Sequence, residues 1–556
     1  MLKLSPRNSK KLQTKNLFAR RVTVKSPVEH RGIRTRAWPL FAVALGLGGC
    51  MIGPDFVTPS APLATGWSKA TDATVDMSRQ EYRDWWRVLG DPVLEDLIAT
   101  AYRQNLDLQS AGIRVLEARA RLGLAIGELY PQQQTLSGSL SYNRIPVSNP
   151  FNVINNRYWQ SFLGAQAAWE IDFWGKIRRG IQSADTAYLA SVAGYDDVLV
   201  TLTGDVASTY VELRTLEARI AIARENADRQ RQALRIAEAR YRGGVVSKAD
   251  VYQAENVLGA TEAAIPELTI RLRQAKNALS LLLGLPPDGI QAYLGGPSDI
   301  PTTPARIAVG IPAELLRRRP DIRAAELQAA AQCAQIGVAK ADLLPSFTLV
   351  GNVGTLSSDV GRNSLSDLFT SKSLVYSAGP AVEWSIFNYG QITNNVRVQD
   401  ARFQELLVGY KNAVLGAQRE VADAIALFGE SRRQEAFLRA STEAAADALT
   451  VAMNQYKEGT VDFTTVLVAE ENLFAAEDNL AVARGNVPLG LIGAYRALGG
   501  GWQLREGQEF VPVEVRSEMA ERTNWGRLLT PGLLAPKAPG LPGPEDLGPT
   551  LRPPEW

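Results

Sequence analysis

Few side chains in this 556-residue sequence have the type and setting to do chemistry. The one histidine, His30, sits in a basic N-terminal stretch, so the rest of the chain can build neither a Ser-His nor a Cys-His pair nor an imidazole metal site. No GxSxG, phosphate loop or dinucleotide fingerprint is present. Of two cysteines, Cys333 lies in "AAAQCAQIGVA", apolar or small at helical spacing, which predicts a buried, inert thiol. Acid pairs at Asp196-Asp197 and Glu470-Glu471 fall on helical pattern and read as solvated or lumen-facing surface rather than as acid–base machinery. No convergent catalytic or metal site emerges, and a non-enzymatic protein is expected. The thiol with a chemical setting is Cys50, which closes "AWPLFAVALGLGGC".

Residues 1–49 carry 11 Lys and Arg against Glu29 alone, and run into that short apolar segment. A positive lead, an apolar stretch too short to span a bilayer and small residues before the cut describe a secretory signal. A cysteine directly after the glycines makes it resemble a bacterial lipoprotein signal. Cys50 would then be lipidated and become the mature N-terminus; the alternative is a free cysteine after an ordinary signal. Met51 in place of aspartate points, by the sorting rule of such lipoproteins, to the outer membrane. From Cys50 onward 49 basic residues face 57 acidic ones, a net −8, which argues against nucleic acid as a partner. Because one acyl-type anchor usually needs a second attachment to hold firmly, a second membrane element is expected.

The elements that would position such an element are written twice. "YRGGVVSKADVYQAEN" (241–256) returns as "YKEGTVDFTTVLVAEEN" (456–472), keeping a tyrosine, the second glycine, a valine and an Ala-Glu pair at an offset of 215. Trp169, Ile171, Gly175 and Leu283-Gly284 recur as Trp384, Ile386, Gly390 and Leu498-Gly499 at that same offset. "NLDLQSAGIRVLEARARLGLAIGELYP" (105–131) aligns with "RPDIRAAELQAAAQCAQIGVAKADLLP" (319–345). The chain is therefore a duplicated unit of about 200 residues. Repeat 1 covers 92–283 and repeat 2 covers 313–499, joined by a proline-rich connector at 284–312. Residues 50–91 form an N-terminal segment, 500–530 a C-terminal segment, and 531–556 a tail with eight prolines, expected to be extended or disordered.

Each unit predicts a helix (the first over 92–129), two strands, a very long helix, a turn and a return helix. Period-two alternation marks strands at 134–144 and 158–173, then 346–357 and 373–387, where Pro380 requires an edge or a bulge. The long helices, 175–241 and 390–456, contain no proline. In the first, Leu199, Leu202, Val206, Thr209, Leu213, Leu216, Ile220, Ala223 and Ala227 step by three and four as a heptad seam. At 1.5 Å per residue each helix would be roughly 100 Å long, the length of a periplasm-spanning tube. The return helices follow at 248–283 and 463–498. No segment after Cys50 offers about 20 continuous apolar residues, so no transmembrane helix is expected. Four strands cannot close a barrel and open edges are not tolerated in lipid, so several copies must pool strands. Two chains would make a barrel of about eight strands that side chains fill, and three begin to leave a lumen. A soluble four-stranded sheet on a helical shaft is the alternative.

With "GPDFVTPSAPLATGW", "WWRVLGDPVLEDLIATAYRQNLDLQSA", "WEIDFWGKIRRG", "RRRPDIRAAE" and "ALGGGW" in this order, the chain resembles the TolC-like outer membrane factors, in their NodT-type lipoprotein branch. The resemblance implies a mainly α fold with a small β part: long coiled-coil helices in a periplasmic α-barrel, four strands per chain in a trimeric 12-strand outer-membrane barrel, and a mixed equatorial belt built from the lipid-anchored segment 50–91, the connector 284–312 and the segment 500–530. It implies an exit duct for drugs or other small toxic compounds, fed by an inner-membrane resistance-nodulation-division pump through a periplasmic adaptor, with no cofactor beyond a covalent lipid on Cys50. The alternatives are a type I secretion duct for polypeptides and a non-conducting coiled-coil envelope lipoprotein. Carried over by position, the adaptor-docking turns are Gly244, Val245, Val246 and Ser247, and Gly459, Thr460, Val461 and Asp462. Gate candidates are Tyr456, Thr464, Val468 and Glu471. Family members often place an aspartate and, three residues on, an arginine where this chain has Val468 and Glu471. That departure implies an apolar ring at Thr464 and Val468, with Asp462 and Glu471 making a cation-favouring mouth.

Overall fold

The computed structural model describes residues 51–63, 75–76, 82–146, 157–308, 318–361 and 364–531. The expected signal at 1–49, Cys50 and the tail from 532 lie outside the described residues.

Both repeats fold to one plan. Repeat 1 holds α1 (Pro92–Gln104), α2 (Leu106–Gly127), β1 (Gln133–Arg144), β2 (Arg157–Ile171), α3 (Lys176–Arg242) and α4 (Lys248–Leu282). Repeat 2 holds α5 (Pro320–Ala341), β3 (Ser346–Ser358), β4 (Leu374–Glu383), α6 (Gln391–Glu458) and α7 (Phe463–Ala497), followed by α8 (Val513–Arg522). The helix expected over 92–129 is two helices. Asn105 leaves the helical conformation (ψ 126), its carboxamide accepts from the Leu108 amide as an N-cap, and its Nδ2 donates to the Leu282 carbonyl at 2.9 Å. The last strand is shorter than expected, stopping at Glu383.

The duplication survives at the level of single hydrogen bonds. Trp169 Nε1 donates to the Leu129 carbonyl and Trp384 Nε1 to the Leu343 carbonyl, both at 3.1 Å. α3 and α6 both start after a glycine in the left-handed region, Gly175 (φ 77) and Gly390 (φ 83). At 67 and 68 residues they reach about 100 Å. α3 carries the predicted seam: the leucines, valine, isoleucine and alanines of that heptad run are buried, with Thr209 half-buried. Beside the sheet α2, α3, α5 and α6 pack in that order; toward the turns α4 and α7 take the places of α2 and α5.

The sheet runs β1-β2-β3-β4, antiparallel throughout, with the β2–β3 pair joining the two repeats. Register sorts its faces, since paired residues point the same way. One face carries Leu136, Leu140, Tyr142, Trp159, Leu163, Trp169, Leu349, Val353, Tyr376 and Val382; the other is more polar, with Ser137, Ser139, Ser141, Gln160, Gln166, Glu170, Asn352 and Ser377 beside Phe162, Val350, Leu356 and Val375. The apolar face is exposed, with Tyr142 against Trp159 (5.1 Å) at one end and Trp169 at the other. Pro380 lies in β4, an edge strand, where the missing amide is tolerated. No helix among the described residues is long and apolar enough to cross a membrane.

The main core forms where α1 and α2 meet α3, α6 and α7, around Trp85, Leu97, Leu199, Tyr210, Phe428, Leu491, Tyr495 and Phe510. The connector is tied there by Arg214, fully buried, which donates to the carbonyls of Gly296 (2.6 Å) and Leu294 (3.0 Å). Two acids read as surface are interior. Asp196 holds Arg505 through both oxygens, at 2.5 and 3.1 Å, and Glu470 is buried between helices. Helical spacing alone placed both outside because their partners come from other elements. Glu471 is exposed as expected, and Cys333 is buried, its Sγ 3.6 Å from the Pro54 carbonyl.

Candidate functional site: the paired turns at the end of the shaft

Both long helices stop in one hydrogen-bonded form. Val245 N donates to Arg240 O and Gly244 N to Tyr241 O, each at 2.9 Å; Thr460 N donates to Gln455 O at 2.9 Å and Gly459 N to Tyr456 O at 3.0 Å. Each pair is a Schellman stop, which needs a left-handed residue, and Gly244 (φ 72) and Gly459 (φ 78) supply it. Val245, Ser247, Thr460 and Asp462 are exposed at the turns, whereas Val246 and Val461 are half-buried. The two turns are held side by side by Arg240, whose guanidinium lies 4.4 Å from the Tyr456 ring centroid and donates to the Tyr456 carbonyl at 2.5 Å.

The gate candidates divide. Thr464, Val468 and Glu471 step by four and three along α7 and form one exposed stripe, Val468 at 49%. Tyr456 stands apart from them, 2% exposed, its ring 5.0 Å from that of Phe463. Beneath the turns Ala233, Ala237, Ala254, Val257, Ala452, Val466 and Leu467 pack with Tyr456 and Phe463 in a core of their own.

At the opposite end of the shaft residues 51–63, within the expected lipid-anchored N-terminal segment, form an extended strap. Ile52 N donates to Trp174 O at 3.1 Å. Arg179, 2% exposed at its side chain, donates to the carbonyls of Ile52 and Gly53 and pairs with Asp55 at 2.8 Å. The strap continues over α5 and α6, with Phe56 edge-on to Phe403 and the Pro62 carbonyl accepting from Gln418. Its first described residue, Met51, packs against Gly175, where β2 gives way to α3. Cys50 itself is outside the described residues. The "GPDF" motif carried this signal in its glycine: Gly53 (φ 112) touches Gly337 so closely that a Cβ would sit 2.5 Å from the Gly337 Cα.

A sheet with one apolar and one more polar face, set on helices of about 100 Å that end in paired turns, defines a subunit of an envelope-spanning channel. The chain belongs to the outer membrane efflux protein family, whose model matches residues 97–285 and 311–500. It is 31% identical over 465 residues to the cation efflux system protein CusC of Escherichia coli O6:H1, covering 83% of this chain and 98% of that one. It is 29% identical over 453 residues to nodulation protein T of Rhizobium leguminosarum bv. trifolii, covering 80% and 92%. Among solved structures, the outer-membrane channel OprN superposes with a TM-score of 0.76 at 32% identity, over 82% of this chain and all of that one. As a member of this family the chain is an outer-membrane efflux channel that reaches into the periplasm, and the family is one of channels rather than enzymes.

Proposed function

We propose that three copies of this chain pool their strands into a closed 12-strand barrel above a helical tunnel, forming the exit duct of a tripartite efflux system. A periplasmic adaptor docks on the turns at Gly244–Ser247 and Gly459–Asp462, and an inner-membrane resistance-nodulation-division pump loads the tunnel with drugs or other small toxic compounds. Cys50 carries the lipid that holds the strap at the membrane. The observation that carries this reading is the four-stranded sheet, apolar on one face, whose outer strands β1 and β4 pair with nothing else among the described residues. Lipid does not tolerate such edges, and pooling strands closes them. A duct for polypeptides would share this geometry; the lipoprotein signal and the motif set favour the pump.

Solute leaves by access alone. The exposed stripe of Thr464, Val468 and Glu471 lines the constriction at rest, and separation of the turns widens it. Purified protein in a planar bilayer is expected to conduct, and Val468→Arg to change both single-channel conductance and compound leakage into cells. Unchanged conductance and leakage would remove Val468 from the constriction. Deletion of the gene should sensitise the cell to at least one compound in a broad toxic panel, and no change for any compound would count heavily against efflux.

A further inference from the structure

The apolar interior of the shaft thins partway along its length. Along α3 the main core ends at Ala223 and the core under the turns begins at Ala233. On α7 the turn core spans Phe463 to Ala469, and the main core takes up again at Phe474. Between them only Ala227 and Leu473 are buried apolar side chains on α3 and α7, and beside them lies a polar layer: Asn226 and Gln230 on α3, Thr261 on α4, Glu470 and Glu477 on α7, with Asn226, Gln230, Thr261 and Glu470 all buried. Half of this layer is satisfied. Glu477 accepts from Asn226 Nδ2 at 2.6 Å and from Arg229 at 2.7 Å. The other half is not. Gln230 and Glu470 are each 3% exposed, and neither Gln230 Oε1 and Nε2 nor Glu470 Oε2 has a hydrogen-bond partner among the described residues. Glu470 lies two turns from Glu477 on the same face of α7, and Gln230 one turn beyond Asn226 on the antiparallel α3, so both belong to the contact between these helices.

Unpaired buried polar groups of this kind are costly, and each calls for stored strain, a bound water or a functional role to account for it. We propose that the Gln230–Glu470 layer is a proton-controlled fault line between the turns and the rest of the shaft. Protonated Glu470 keeps α7 packed on α3, and loss of its proton draws water into the layer and frees the turn core to move. This rests on the duct reading, in which the turns must separate for solute to pass.

The electrostatic surroundings support a switch. Burial pushes the Glu470 carboxyl from 4.5 up to about 7, with Arg229 pulling against it. Arg229 on α3 is already engaged by Glu477 and Glu225. The α6 positions facing α7 here, Thr442, Ala445, Leu449 and Ala452, carry no charge, and Glu443 and Asp447 of that helix are exposed. On α4, Glu255 and Glu262 are exposed and Glu262 is bound by Arg231. Along α7 itself Glu471 is exposed and Asp478 is bound by Arg219. Arg229, shared with Glu477 and Glu225, thus offsets a buried charge on Glu470 only in part, and burial outweighs it. The sign follows from linkage: the packed state binds the proton more tightly than a solvated state, so packing is favoured at low pH and lost as pH rises from about 4.5 to 7.

The test is hydrogen exchange in the intact, detergent-solubilised protein, followed in peptides covering 226–237 and 463–477 from pH 5 to 8.5 and corrected for the intrinsic pH dependence. The opening constant of the wild type is expected to rise about tenfold per pH unit up to about 7 and then level off, one proton being released per opening. Glu470→Gln, which keeps the shape of the neutral acid, should fold normally and stay closed throughout. A flat wild-type profile, or a Glu470→Gln profile with the wild-type slope, overturns the proposal. Bilayer conductance separates the two readings. A channel that conducts without a pH response over this window refutes the fault line and leaves the duct, whereas a protein that never conducts refutes the duct while the exchange slope still decides the fault line.

Discussion

Asp196 and Arg505 show how far a single residue's role can lie from its sequence neighbourhood. They sit 309 positions apart, both about 95% buried, and Arg505 also lies 5.1 Å from the Phe510 ring centroid. Removing one partner of such a pair leaves a charge buried without compensation, so Arg505→Leu should cost about 3–5 kcal/mol in denaturant unfolding. The double variant with Asp196→Asn should recover part of that loss. The exposed Arg121–Glu117 pair, by contrast, is worth about 0–1 kcal/mol, and its loss should be barely measurable. Helical spacing showed that Asp196 and Glu470 lie on helices and where Glu471 points. It did not show what stands opposite, because a partner hundreds of residues away leaves no periodic trace. The glycines were legible for the opposite reason: a Schellman stop is local, so Gly244 and Gly459 could be placed from a few residues on either side.

Among elements, the strap depends on shape more than on charge. A Cβ on Gly337 would lie 2.6 Å from the Ile52 carbonyl and 2.9 Å from Arg179 Cγ, so even one methyl group has no room. Gly337→Ala should therefore lift the strap while sparing the helices. Limited proteolysis is expected to cut within 51–63 severalfold faster, with α3 and α6 equally protected in both proteins. If strap and shaft are cut at unchanged rates, the close approach is not what seats the strap. The strands and long helices were legible to within a few residues because period two and heptad spacing are repeated many times. The α1–α2 break was not, since Asn105 ends one helix and caps the next without interrupting the apolar pattern. The strap escaped as well, having no period and contacts that lie on three helices far away in sequence.

For the whole molecule, the offset of 215 announced two copies, and the sheet order, the four helix stops at Gly244, Gly284, Gly459 and Gly499, and the paired tryptophan bonds repeat it. What the copies do differently was hidden. Glu255 and Glu470 occupy equivalent positions, yet one is exposed on α4 and the other buried on α7. Equivalence in sequence thus gives no guide to environment once the copies pack against different neighbours. The strap carries a consequence in time. A chain is made from its N-terminus, and residues 51–63 exist long before the surfaces that receive them, which come from Arg179, Gly337, Phe403 and Gln418, the last 356 positions from its partner. Arg179 can hold the strap's first residues once repeat 1 has folded, but closing the longer loops to Gly337, Phe403 and Gln418 is slow and is rewarded only when repeat 2 has folded. A strap synthesised before either repeat is therefore fully seated only after both have supplied their surfaces, so its complete docking reports that the second half has folded against the first.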